Sequence, residues 1–374
     1  MLIHKDSFEW MKERDADSID HIITDPPYLI DFMGKGWDKE DNIAGSVEFW
    51  KEALRVCKTG SYALVFGHSR THHRVMIAME DAGWEIRDTI MWLYGQGFPK
   101  SKSLGDGWGS ALKPAYEPII MARKPFKGSL ENNNKTNGLG GLNIDACRVG
   151  TEQIKVSPAG GSGIYEGGWK NTKQNTEQQT ITGRHPANVI LDEEAGKLLD
   201  EQSGITKSAK QPTKTRKQGY SKDGYVGGTT RNILPRPAPE YGDKGGASRF
   251  FYCPKVSPSE RNYGCDELED KVRNRVNSGG LEKDPKWQPT IQKNNHPTVK
   301  PIKLMEYLVK LVSREGQVIL DPFAGSGSTG VACINLKRHF ILVEKGDDYL
   351  NIIKARTENA SKKAQTTEED SCNG

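Results

Sequence analysis

Two short stretches carry residue types that could do chemistry together. The first is Thr24-Asp25-Pro26-Pro27-Tyr28, which follows the apolar run His21-Ile22-Ile23. Consecutive prolines hold the backbone extended and remove two amide donors. What remains is a cluster of acceptors, the free carbonyls and the Asp25 carboxylate, beside an aromatic ring. Such a cluster suits a flat ligand with an exocyclic NH2, which can donate twice while its ring stacks on Tyr28. The second stretch runs Val318-Ile319-Leu320-Asp321-Pro322-Phe323-Ala324-Gly325-Ser326-Gly327-Ser328-Thr329-Gly330 and is followed by Phe340-Ile341-Leu342-Val343-Glu344. It reads as a strand, a glycine turn, a helix and a second strand ending in an acid.

Gly325, Gly327 and Gly330 satisfy the G-x-G-x-x-G pattern, and Glu344 lies near the distance expected of an acid that holds a ribose diol, so a dinucleotide site is one reading. Asp321, between the strand and the glycines, favours a cofactor with a cationic group there over one presenting a pyrophosphate. S-adenosyl-L-methionine carries both an ammonium and a ribose diol. Taken singly, each stretch also has a plain structural reading, as a proline turn after a strand and as glycines that tighten a strand-to-helix connection.

The elements that must position these residues alternate. Leu2-Ile3 and the run 21–24 are strand-like, with helical spacing of Phe8 and Met11 between them. The helix Val47 to Val56 stops at Gly60 before the buried strand Ser61 to Phe66, and the helix His72 to Ala82 precedes the strand Ile86 to Leu93. Order resumes at the other end with the helix Pro301 to Ser313, the strand Gln317 to Leu320, the helix Thr329 to Leu336 and the strand Phe340 to Val343. Strands alternating with helices imply an α/β fold, with a parallel or mostly parallel sheet covered on both faces. Residues 361–374 are polar and are expected to be disordered.

The middle differs in kind. Residues 123–255 hold half of the chain's 40 glycines, and Pro235-Arg236-Pro237-Ala238-Pro239 adds a proline-rich stretch. Only Asn188 to Leu199 reads there as a strand-to-helix unit, so the region is expected to be an insertion and not a continuation of the sheet. It is also where positive charge collects, with 21 Lys and Arg against 13 Asp and Glu, although the chain as a whole carries a net charge of only +4. Within it, Lys207, Lys210, Lys214, Arg216, Lys217, Lys222, Arg231 and Arg236 face a single acid, Asp223. A polyanion is the natural partner of such a segment, and a solvated basic loop is the bland alternative.

Other classes are disfavoured by composition. At 374 residues the chain exceeds a single small module. It shows neither a long apolar run nor a signal-peptide pattern, so a soluble, cytoplasmic protein is expected. Six cysteines, at 57, 147, 253, 265, 333 and 372, stand far apart without a C-x-x-C pair, which fits free thiols.

Together the two stretches resemble the amino-methyltransferases of DNA, whose D-P-P-Y and F-x-G-x-G motifs match Asp25-Pro26-Pro27-Tyr28 and Phe323-Ala324-Gly325-Ser326-Gly327. With D-P-P-Y first and the cofactor motif last, the order is similar to the permuted arrangement called the beta class. Asn295-His296-Pro297-Thr298-Val299-Lys300-Pro301 looks like the motif preceding the cofactor motif in that class, and Lys5-Asp6 resembles its N-terminal acidic motif. Gly97-Phe98-Pro99-Lys100-Ser101 and Gly141-Leu142-Asn143-Ile144-Asp145 are similar to phage-type members.

The resemblance implies a Rossmann-like, circularly permuted sheet built from residues 1–122 (the catalytic half) and 256–360 (the cofactor half), with a loop-rich target-recognition insertion over 123–255. It implies that Asp6, Asp25, His296, Thr298, Lys300, Asp321, Phe323, Gly325, Gly327 and Glu344 surround S-adenosyl-L-methionine. It implies that Asp25, Pro26, Pro27 and Tyr28 hold a base flipped out of double-stranded DNA. Adenine N6 is the expected target, because cytosine-N4 enzymes of this arrangement usually carry Ser where this chain has Asp25; cytosine N4 is the alternative. Phe32 and Trp37 could wall the base pocket. The resemblance is compatible with a homodimer and with a companion restriction endonuclease, neither of which the sequence itself indicates.

Three further constellations are weaker. Cys253, Cys265 and His296 have no structural-zinc spacing, so no metal site is expected. His68, His72 and His73 read equally as phosphate contacts or as a solvated helix start. Lys100 and Lys102 are better placed to meet the DNA backbone, with Lys207, Lys210, Lys214, Arg216 and Lys217. Competing activities are an RNA, protein or small-molecule amino-methyltransferase, and a DNA-binding module without catalysis. The basic insertion disfavours the small substrate, and the intact acids at 25, 321 and 344 disfavour the inactive module. Neutralising Lys214, Arg216 and Lys217 together is expected to flatten the dependence of log DNA affinity on log salt by about 0.9 for each phosphate that is no longer neutralised. An unchanged slope assigns those charges to solvent.

Overall fold

The computed structural model describes residues 1–30, 42–95, 97, 101–156, 179–207, 243–254, 258–273 and 290–372. Phe32, Trp37, Lys100, Lys210, Lys214, Arg216 and Lys217 lie outside the described residues.

Eight strands form one sheet: β1 (Leu2–His4), β2 (His21–Thr24), β3 (Tyr62–Phe66), β4 (Glu85–Leu93), β5 (Tyr116–Arg123), β6 (Val189–Leu191), β7 (Val318–Asp321) and β8 (His339–Glu344). Their spatial order is β1-β8-β7-β2-β3-β5-β4-β6. All neighbours are parallel except at β5, which runs antiparallel to both β3 and β4. The two strands nearest the end of the chain are thus inserted between β1 and β2, and Asp321 at the end of β7 comes beside the strand that leads into Asp25.

Burial follows the two-residue period of the strands. Ile22, Ala63, Val65 and Leu320 face one side of the sheet, where α1 (Ser7–Lys12), α2 (Val47–Val56) and α3 (His72–Asp81) cover them with Trp10, Phe49, Trp50, Val75 and Met79. Ile23, Leu64, Phe66 and Ile319 face the other side. There α6 (Ile302–Val312) and α7 (Ser328–Asn335) supply Leu304, Leu308, Val312 and Ala332. Ser46 caps α2 by accepting from the Phe49 amide at 3.4 Å. Two further helices, α4 (Leu130–Asn137) and α5 (Glu193–Ser203), precede the long C-terminal α8 (Asp347–Cys372).

Three differences from the sequence expectation have physical reasons. First, β5 falls in a stretch where Pro118 argues against a strand. Proline is tolerated because Pro118 lies just past the last pair with β3, Phe66–Ile119, and on that side offers only its carbonyl, to the Gly67 amide at 2.9 Å. Second, the inserted region does continue the sheet. Val189–Leu191 pairs in parallel with Met91–Leu93 and makes the edge strand, and α5 follows from it. Third, residues 361–372, expected to be disordered, prolong α8. Packing of Ile352, Ile353, Arg356 and Ala360 nucleates that helix, and Lys, Ala, Gln and Glu then propagate it at little cost.

Besides α4 and two short helical turns, the rest of the described insertion holds two short two-stranded ladders. Val149–Val156 pairs with Gln179–Arg184, and Thr206–Lys207 with Lys244–Gly245, which places Lys207 on the surface. Asp243 accepts from Arg249 at 2.5 Å and lies 2.5 Å from Arg184, and both guanidinium groups flank the Phe250 ring. One carboxylate therefore clips the two ladders together. Among the described residues no helix is long and apolar enough to cross a membrane.

Candidate active site

Asp25 leaves the end of β2 and Tyr28 turns back over it. The Tyr28 hydroxyl lies 2.8 Å from Asp25 Oδ1 and 3.0 Å from Glu117 Oε2. Lys300, just ahead of α6, enters from the far end of the chain. Its ammonium donates to Asp25 Oδ2 at 2.6 Å and to the Tyr28 hydroxyl at 3.1 Å, and lies 3.4 Å from Glu117 Oε2. It also stands 4.9 Å from the Phe66 ring centroid. One buried cation thus sits between two carboxyl groups and a phenol, and with both carboxyls ionised the cluster carries one negative charge in excess.

Burial shapes every titration here. It pushes the Asp25 carboxyl up; Lys300 opposes that shift and the Glu117 charge adds to it. Burial, with Asp25 and Glu117 beside it, raises Tyr28 well above an ordinary phenol. For Lys300 burial acts downward, but the two carboxylates outweigh it and the ammonium is held above its usual value. Lys300 is consequently a fixed cation, and Asp25 is the acceptor whose strength the surroundings control.

The glycine loop lies alongside. Gly325 and Gly327 have φ of 52° and 73°, which glycine adopts without strain. A Cβ on Gly325 would stand 2.7 Å from His296 Nε2, and one on Gly327 would stand 3.1 Å from Ile353. Glu344 at the end of β8 accepts from the Gly325 amide with one oxygen and from the Gly346 amide with the other, both at 2.8 Å. Burial raises its carboxyl, and those amides restrain the rise. The His296 ring packs edge-on against Tyr349 at 4.6 Å between centroids, and burial, aided by Lys300 and two arginines, lowers its pKa to about 3. His296 is therefore neutral at physiological pH.

A narrow pocket joins the two motifs. Asp25, His296, Thr298, Lys300, Asp321, Phe323 and the glycine loop line it. Asp321 forms the floor, with one oxygen accepting from Thr24 Oγ1 at 2.7 Å and the Phe323 amide at 3.1 Å, and the other from Thr329 Oγ1 at 2.5 Å. In this structure that carboxylate locks β7 to β2 and to α7. Asp6 stands further along the sheet edge, beside Glu344 through the pairing of β1 with β8. It caps α1 through the Phe8 and Glu9 amides and meets Lys345 at 3.2 Å. Burial alone would raise its pKa, but Lys345 and the amides hold it below the ordinary range. Phe323 lies 5.3 Å from Phe49 and lends the same wall an aromatic face.

The structure thus gathers the two motifs and Lys300 at one sheet edge. Sequence reasoning missed Glu117. Its signal is present, an acid at the start of the apolar run 118–122, but the proline that opens that run masks the strand. Cys253 and Cys265 donate to the backbone oxygens of Asp192 and Tyr263. No group of three or more His, Cys, Asp and Glu among the described residues is arranged to hold a metal. A broader open hollow lined by Thr59, Phe126, Asn132 and Asn137 holds no carboxylate, and none of the motif residues lines it.

Residues 19–355 match the N6/N4 DNA methylase family model, which takes in both motifs and the strands that carry them. The chain belongs to that family. Membership makes it an S-adenosylmethionine-dependent DNA methyltransferase acting on double-stranded DNA. It is 22% identical over 407 residues to the type II methyltransferase M.HindIII of Haemophilus influenzae, covering 94% of this chain and 93% of that protein. A local stretch of 94 residues is 42% identical to M2.DpnII of Streptococcus pneumoniae, covering 25% of this chain and 33% of the relative. Among solved structures, the cytosine-N4-specific PvuII DNA methyltransferase superposes with a TM-score of 0.50 at 12% identity, covering 98% of this chain and 91% of that one. That likeness concerns the fold.

The fit of S-adenosyl-L-methionine can be judged from these residues. A loop admitting no Cβ, acids at both ends of the wall and an aromatic face are compatible with its polar and planar parts. Asp321 carries the titration most easily followed. Burial pushes its carboxyl up to about 6, against the pull of the two threonine hydroxyls. A folded-state pKa above the unfolded one means that stability falls as pH rises through the interval from about 4 to about 6, where the unfolded chain ionises first. Asp321→Asn removes that loss. Relative to wild type, the variant is expected to be more stable at about pH 7.5 than at about pH 4 in urea unfolding. An equal difference at both pH values would show that Asp321 does not titrate in this way.

Proposed function

We propose that the chain is a site-specific DNA adenine-N6 methyltransferase of the permuted beta-class arrangement, with S-adenosyl-L-methionine in the pocket between β2 and β7. The observation that carries this reading is the convergence of Asp25, which the Tyr28 hydroxyl contacts, with the glycine loop on one pocket, although they come from opposite ends of the chain. Bound there, the cofactor supplies an electrophilic sulfonium methyl. Glu344, Asp6 and Phe323 hold its nucleoside part, and Thr298, His296 and Lys300 border its methionine end.

The target amino group donates to the Asp25 carboxylate and to the Pro26 carbonyl while its ring stacks on Tyr28. Both acceptors draw the N–H protons away and leave the nitrogen lone pair free to face the methyl group. A carbon–nitrogen bond forms as the sulfur–carbon bond breaks. The bound cofactor would supply the methyl and retain the bonding pair of the broken bond, and the proton that the amino nitrogen sheds passes to water. The excess negative charge of the Asp25–Lys300–Glu117 cluster stabilises the positive charge that passes onto nitrogen.

Cytosine N4 is the second reading, because it presents the same exocyclic amine. Asp25 as the first residue of the motif, through the family resemblance, favours adenine. The basic stretch around Lys207, Lys210, Lys214, Arg216 and Lys217, with Lys100, serves as the phosphate-contacting surface of the 123–255 recognition region.

Asp25→Ala is expected to abolish methyl transfer while leaving the fold and most DNA affinity in place, with a lower melting temperature because Lys300 loses its nearest carboxylate. Transfer at near wild-type rate would remove Asp25 from the mechanism. DNA methylated in vitro and digested to nucleosides is expected to yield N6-methyladenine by mass spectrometry. N4-methylcytosine in its place would overturn the base and leave the donor pocket standing.

A further inference from the structure

Between β4 and β5 the chain leaves the sheet as a small ribbon, Ser103–Gly105 paired with Trp108–Gly109. Both β4 and the parallel strands run opposite to β5, so this connection projects from the edge at which Asp25 and Asp321 end their strands. Its base is firmly held. The Tyr94 amide donates to the Ala115 carbonyl at 3.0 Å, and Lys113 donates to the Gly95 carbonyl at 2.7 Å. Ser101 Oγ accepts from the Ser110 and Ala111 amides. Two residues beyond that base is Glu117, in contact with Tyr28. The base of the ribbon is therefore anchored two residues from Glu117, at the sheet edge that carries Asp25.

Its tip is fixed as well. Gly105, Asp106 and Gly107 all have positive φ, which sets a tight reversal. Yet Leu104, Trp108 and Leu112 are 62%, 74% and 92% exposed. A two-stranded ribbon that presents an indole and two leucines to water leaves most of its own apolar surface uncovered, and this one rises from the sheet edge that a partner of known kind must approach.

That partner is duplex DNA. A base drawn to Asp25 leaves a gap in the stack, and an apolar or aromatic wedge is the group that fills such a gap. Charge argues for the stack and against the phosphates: from Ser101 to Ala115 the ribbon carries Lys102 and Lys113 against Asp106 at its tip. So weak a positive excess, with an acid foremost, makes a poor phosphate clamp and suits insertion between bases.

We propose that Trp108, carried on this ribbon with Leu104, enters the duplex at the position vacated by the target base and holds the flipped state open. The inference rests on the reading of Asp25 as the acceptor of a flipped base. Trp108 is a positioning residue, touching neither the reacting nitrogen nor the cofactor.

The test uses the full chain and duplexes bearing the motif that modified-base sequencing of DNA from expressing cells reveals. In single-turnover assays, Trp108→Ala is expected to slow transfer about tenfold or more on the matched duplex. The loss should shrink to about twofold when the target base faces an abasic site, where leaving the stack costs little. Trp108→Phe should keep most of the rate, and cofactor affinity, melting temperature and the salt slope of DNA binding should not move. Equal slowing on both duplexes, or no slowing on either, overturns the proposal. Asp25→Ala assayed on the same two duplexes separates the claims, since activity there contradicts the acceptor reading whatever Trp108 does.

Discussion

The Asp321 carboxylate is the tie on which the rest of the site depends. It is buried, and among the described residues no cation pairs with it, an arrangement that costs free energy unless hydrogen bonds offset it. Thr24, Thr329 and the Phe323 amide supply those bonds. Each donor belongs to a different part of the chemistry: Thr24 precedes Asp25, Phe323 begins the glycine loop and Thr329 lies in the helix after it. One side chain thereby fixes the acceptor motif relative to the cofactor loop, across nearly the whole length of the chain. Arg356 reinforces the arrangement from below, donating to the Ser326 carbonyl and to Ser328 Oγ.

The charge cluster built on that frame is tuned and not merely neutralised. A lone Asp25 facing Lys300 would be a closed ion pair, and a second cation near a nitrogen gaining positive charge would raise the barrier. Glu117 changes the sign of the cluster as a whole, and Tyr28, within reach of both carboxylates, links them. Loss of Glu117 would leave the pair geometrically intact but electrically balanced. This is why an acid on the antiparallel strand belongs to the site although neither motif contains it.

Much of this was legible in the sequence where periodicity and chemistry agree. The helix Val47–Val56 shows an apolar face and a glycine stop, and it forms over those residues. Asp25, Asp321 and Glu344 each follow an apolar run, and each marks the carboxyl edge of the sheet. The strand Tyr116–Arg123 was hidden because proline inside a run usually argues against pairing, and the exemption of Pro118 depends on where β3 ends. Glu117 was hidden with it. The strand Val189–Leu191 and the helix after it were legible as a strand-to-helix unit, but its place at the edge of the main sheet was not, because that place is set by tertiary pairing with β4. The helical continuation over 361–372 reflects propensity acting on a helix already nucleated by packing, which composition alone does not reveal.

The central claim is that the donor pocket and the base acceptor are one site, with the transferable group directed at Asp25. A crystal structure of the protein with S-adenosyl-L-homocysteine tests it most directly. The account predicts the ribose at Glu344, the adenine near Phe323 and the sulfur directed toward the Asp25–Tyr28 side of the pocket. The product seated elsewhere, or bound with its sulfur turned away from Asp25, would contradict it.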